Sequence, residues 1–248
     1  MYLFCNGRLI THDGQAPFFE DGAVAVDKEH IIDVGTGSEL IKKYSKAEKI
    51  DANGNVIMPG LINLFSYSTS IFTRGLRAKL GCRSTIIDQR SRCRPKLEQY
   101  LTLESILAAA YACALESLKN GVTTVFEHID SPKCISGSLQ TAASAFRTVG
   151  IRSCICSNVD ENAPWRHQKE ALDESFDFYE YCRALGNSLI HPAFGISISD
   201  GANGDNLSIY RELNAGRMAF HTIRVLKSQQ RGDGFFLRFS RMKGAAAR

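Results

Sequence analysis

The chain has 248 residues, 44% of them hydrophobic and 23% charged, the make-up of an ordinary globular protein long enough for one large domain or two small ones. No apolar run approaches the ~20 residues that cross a bilayer. The start MYLFCNGRLI has no basic leader, long apolar segment or small-residue cleavage site, so the sequence argues against a signal peptide and a membrane partner and points to the cytoplasm. Eight scattered cysteines without paired spacing read as reduced thiols. The net charge of +4 hides a step: residues 222–248 carry seven basic residues and one acid, a surplus of +6, which leaves −2 for residues 1–221. Such a step marks a boundary.

Residues 1–58 read as short strands joined by turns. Tyr2 to Phe4 and Arg8 to Ile10 flank Asn6-Gly7, a favoured hairpin pair. Ala23 to Val26 and Ile31 to Val34 flank a second turn at residues 27–30, a short polar helix follows near Ser38 to Tyr44, and Lys49 to Asp51 and Asn55 to Met58 flank Asn53-Gly54. From residue 59 strands alternate with helices. A strand near Leu61 is followed by a helix from Thr102, with apolar positions at Leu103, Ile106, Leu107, Ala110, Ala114 and Leu118 and Gly121 just beyond its end. Val122 to His128 is the next strand, Ser138 to Val149 a helix, and Ile151 to Ser157 a strand whose Cys154 and Cys156 share one face. Pro164 opens a helix that Gly186 closes, Leu189 to Ser197 is a strand interrupted by Pro192, Asp205 caps a helix carrying Leu207, Tyr210 and Leu213, and Met218 to Val225 is the last strand. Five strands with four intervening helices make an α/β pattern, a parallel barrel that stops short of the eight strands needed for closure. Residues 226–248 lose apolar periodicity and read as a basic, disordered tail.

The stretch Val56 to Gly75, VIMPGLINLFSYSTSIFTRG, carries a family resemblance. Pro59-Gly60-Leu61-Ile62-Asn63 and Thr73-Arg74-Gly75-Leu76 resemble the amidohydrolase superfamily of metal-dependent hydrolases and deaminases. The segment GVTTVFEHIDSP, residues 121–132, resembles the TTVxDHHxSP segment of its SsnA-type aminohydrolases, relatives of the chlorohydrolases. The resemblance implies a small β-sandwich, here only its N-terminal portion in residues 1–58, followed by a partial TIM-type barrel over residues 59–225. It implies an ancestral hydrolysis of a non-peptide C–N bond, such as deamination of a heterocycle, with a zinc-like divalent metal held first by His-x-His on strand one. Phe65 and Tyr67 stand at those two positions. Phe has no donor atom and a neutral Tyr is a poor ligand beside the His, Cys and carboxylates that bind zinc.

The other positions implied by the resemblance are also altered. His128 keeps one His of the strand-two pair and Ile129 replaces the other; with Glu127 it marks a possible pocket, while its plainer reading is packing or hydrogen bonding. On the fifth strand, MAFHTI offers His221 as a vestigial metal ligand, but Arg224 stands where the resemblance places a proton-relaying Glu. No catalytic residue is assigned and no bound metal is expected. Arg74 to Lys96 carry eight basic residues against Asp88, with Cys82 and Cys93 inside; without interleaved aromatics this reads as a solvated loop rather than a nucleic-acid surface. Loss of resemblance and of charge balance after residue 221 suggests a shifted or shortened reading frame. Three readings result: an inactive amidohydrolase-type chain, a non-catalytic partner that docks onto an intact relative through an open barrel edge able to form homo- or hetero-oligomers, and a basic-loop nucleic-acid binder.

Overall fold

The computed structural model describes residues 1–75, 94–160, 163–186, 189–198, 210, 212–226 and 234–240, the last strands by backbone and pairing. Cys82, Cys93, Asp205, Leu207 and nearly all of the basic segment lie outside these. The chain divides into two compact units, Met1–Gly60 and Leu61–Arg248.

In the first unit, β1 (Tyr2–Ile10), β2 (Phe18–Asp27), β3 (His30–Thr36), β4 (Glu48–Asp51) and β5 (Val56–Ile57) form one mixed sheet, with α1 (Gly37–Lys43) between β3 and β4. Alternation puts Leu3, Cys5, Ala23 and Ala25 on one face, where they bury with Leu40 of α1. Two turn expectations change. Asn6-Gly7 does not fold the chain back: β1 runs through it, and the register against β2 shifts there. Asn6 adopts φ 57°, a left-handed conformation that a bulge demands as much as a turn does. Asn53-Gly54 is a turn, but β4 and β5 do not pair with each other; both lie parallel to β1.

The second unit is built from β6 (Leu61–Ser66), β7 (Val122–Ile129), β8 (Arg152–Asp160), β9 (Ile190–Ile198) and β10 (Ala219–Leu226), parallel and adjacent in chain order. This is a partial (β/α) barrel of five parallel strands. Between strands run a 3₁₀ turn (Ser68–Thr73), α2 (Arg94–Glu98), α3 (Leu103–Lys119), α4 (Ser138–Val149) and α5 (Trp165–Leu185). Their ends follow local chemistry. Thr102 and Ser105 form a reciprocal capping box at the start of α3. Gly150 and Gly186 close α4 and α5 in the left-handed conformation that glycine adopts without penalty. The Glu174 carboxylate of α5 accepts from the N–H groups of Gly137 and Leu139 at 2.8 and 2.9 Å, satisfying the open start of α4.

The core between sheet and helices holds Ile106, Ala110, Val125, Leu139, Phe146 and Ile155, continued by Val159, Leu172, Phe194 and Tyr210. Pro192 does not interrupt β9. It pairs in register with Ile155 of β8, while β10 joins only from Ala193, so the missing N–H leaves no ladder bond to β10 unmade. Part of the stretch read as a tail, Gly234–Ser240, is β11, antiparallel to β10; its Phe235, Phe236, Leu237 and Phe239 supply the apolar content a strand needs. No helix among the described residues is long and apolar enough to cross a membrane.

Candidate functional site

In parallel barrels the loops after the strands carry the chemistry. Here those strand ends are set by the ladder. Glu127 and His128, the last polar pair of β7, project to opposite sides because successive strand residues alternate. His128 turns toward the side shared by Phe65 and Tyr67: its ring lies 5.4 Å from that of Phe65 and 5.6 Å from that of Tyr67, and those two meet edge to face at 4.9 Å. Three rings therefore gather where the resemblance places the first metal ligands. Only one carries a ring nitrogen. His221 lies on β10, in register with Gly195 of β9 and separated from β7 by β8 and β9; its side chain is outside the described residues.

Glu127 is fully buried, and its Oε1 accepts from Ser68 N–H at 2.6 Å. Burial pushes its carboxyl above the ordinary value, against the pull of the Ser66 and Ser68 hydroxyls, the Ser68 N–H and the Arg94 charge. Neighbouring thiols are inert for the same reason: burial pushes Cys113 up to about 11 and Cys154 up to about 12.

Arg94, placed by the sequence in a solvated basic loop, is instead enclosed at these strand ends. Its guanidinium stacks 3.6 Å over the Tyr67 ring, and its Nη2 reaches Asp130 Oδ2 just beyond β7 at 3.0 Å. A cavity of about 460 Å³ runs beside β6, lined by Asn63, Phe65, Ser66, Tyr67, Arg94 and, from α3, Cys113 and Glu116. At its rim Arg74 forms a bidentate pair with Glu116. The one local sign of Arg94's role was Glu98 four residues later, the spacing of a helical ion pair.

These residues do not fit a metal ion. Phe65 offers no lone pair, Tyr67 presents its ring face to a cation already in place, and among the described residues no three His, Cys, Asp or Glu side chains assemble as ligands.

No protein-family model matches the sequence. A 5-methylthioadenosine/S-adenosylhomocysteine deaminase of Pelotomaculum thermopropionicum is 24% identical over 196 residues, 78% of this chain and 42% of the relative. A protein of the same name from Thermodesulfovibrio yellowstonii is 28% identical over 190 residues, 75% of this chain and 40% of the relative. The fold is shared with the zinc complex of atrazine chlorohydrolase TrzN from Arthrobacter aurescens TC1, at TM-score 0.66 and 20% identity over 90% of this chain and 52% of that one. It is shared with guanine deaminase from C. acetobutylicum at TM-score 0.62 and 15% identity, over 92% of this chain and 63% of that one. This chain resembles the amidohydrolase superfamily in sequence and in fold. It spans about two fifths of the length of these curated superfamily relatives. Metal binding is a property of superfamily structures such as the zinc complex of TrzN.

The Glu127 environment makes a testable statement about pH. A carboxyl whose folded-state pKa is raised favours folding most below its unfolded value, near 4.5, and loses that contribution as pH rises through the folded value. Glu127→Gln keeps an acceptor for Ser68 N–H and cannot ionise. The wild type should therefore lose Tm relative to Glu127→Gln as pH is raised from about 4.5 to 8. Parallel Tm profiles in a thermal-shift series would contradict the burial argument.

Proposed function

We propose that residues 61–226 are an amidohydrolase scaffold that does not itself carry out metal-dependent hydrolysis. One observation carries this reading: the strand-one positions meant for a His pair hold Phe65 and Tyr67, packed on His128 and covered by the Arg94 guanidinium. A second defect supports it, since Arg224 stands three residues after His221 where a relaying carboxylate is expected. The superfamily reaction is hydrolysis of a non-peptide C–N bond, and the names of the curated relatives make 5′-methylthioadenosine and S-adenosylhomocysteine the substrates to test. Loss of a positioned proton carrier alone costs roughly 10²–10⁴-fold in rate. The cytoplasm suits this reading, because Cys5, Cys113, Cys134, Cys154, Cys156 and Cys182 are free thiols and a reducing compartment maintains that state. Ammonia release from both nucleosides, measured with added Zn²⁺, should stay at background for the wild type and for Phe65→His/Tyr67→His. Chelator-sensitive release by the wild type would overturn the proposal.

A second reading, self-association of this chain through β6, rests on a separate observation. Among the described residues β6 is the end strand of its sheet, and its Leu61 and Ile62 are 49% and 58% exposed. Exposed apolar side chains on an end strand favour association, and a second copy supplies an identical apolar patch. Light scattering should find dimers or larger species that Ile62→Lys shifts toward monomer. A concentration-independent wild-type monomer would rule this reading out.

A further inference from the structure

A fixed positive charge at the described strand ends comes from Arg94. The Arg94 side chain is 12% exposed, and its polar atoms are taken up on several sides. Nε and Nη2 reach Glu98 Oε1 at 2.7 and 2.5 Å. Nη2 also meets Asp130 Oδ2 at 3.0 Å, and Asn158 of β8 donates to that same oxygen at 2.8 Å. The guanidinium plane lies 3.6 Å over Tyr67, which follows β6. One planar cation thereby joins α2 to the ends of β6, β7 and β8.

We infer that Arg94 is the resident cation of these strand ends, a guanidinium lock that fills from within the chain the place a divalent ion would take. The chemistry favours this occupant. An aromatic face attracts a cation through its quadrupole and offers no directed lone pair, which suits a flat, weakly hydrated guanidinium better than a metal ion. Glu98 is buried and Asp130 only partly open, so leaving both carboxylates without a cation would be costly. Burial works against the guanidinium's charge, and Tyr67, Glu98 and Asp130 beside it outweigh that effect and hold it charged. The displacement of a metal rests on the reading of Phe65 and Tyr67 given above, whereas the lock itself rests on these contacts alone.

Thermal unfolding of Arg94→Ala and Arg94→Lys, with and without methylguanidinium, tests the lock. Arg94→Ala should unfold roughly 6–20 °C below the wild type, since it strips the cation from a buried pair in a chain of this size. Arg94→Lys should fall between them, keeping the charge but losing the stacked plane. Millimolar methylguanidinium should raise the Tm of Arg94→Ala and leave the wild type unmoved, because only the variant has the vacated place to fill. Equal effects on both proteins, or an Arg94→Ala variant that unfolds at the wild-type temperature, would overturn the inference. Should Arg94→Ala fail to fold, hydrogen exchange at Arg Nε in the wild type decides. Arg94 should exchange far more slowly than Arg166, which is 87% exposed, and equal rates would refute the lock. Ammonia release from an aminopurine by a chain that passes these tests would refute the proposed inactivity and leave the lock standing; a silent chain that fails them does the reverse.

Discussion

The parallel ladder from β6 to β8 decides which side chains meet. Its register sets Ser66 opposite Glu127, and His128 opposite Cys156. Alternation then sends Glu127 toward Ser68 and the helix side, while His128 joins Phe65 and Tyr67 on the other. A slip of one residue would exchange these faces and expose a carboxylate that is fully buried. The site is thus a consequence of pairing. Local sequence alone does not assemble it.

Charge at the strand ends follows from that assembly. Asp130, Glu98 and Glu127 bring acidity close to a mouth lined by rings, with Glu98 and Glu127 buried. Buried carboxylates need either a cation or a proton. Asp130 and Glu98 are paired with Arg94. Glu127 lies a step farther back, where burial drives its carboxyl toward the protonated form. Both solutions use residues of this chain.

Much of this was legible in the sequence because the relevant signals are local. The Thr102 cap and apolar spacing of α3, and the Gly186 that closes α5, lie within a few residues of the ends they define. Phe65 and Tyr67 were readable for the same reason, since they sit inside a short matched motif. What escaped depends on distant partners. Arg94 meets Asp130 across 36 residues, so within its own segment it looked like one more solvated base. Glu127 meets Ser68 across 59 residues, and nothing beside it announces its burial. Asn6-Gly7 failed differently: a turn and a bulge ask the same left-handed conformation of Asn6, and only the strand partner distinguishes them.

The central claim is that the ends of these strands hold an internal guanidinium in place of a metal. The most direct measurement is the zinc content of the purified protein after equilibration with Zn²⁺ and removal of loosely held ions. The account predicts a content far below one equivalent per chain, unchanged by replacing His128 with Ala. One chelator-removable equivalent that is lost in His128→Ala would contradict it.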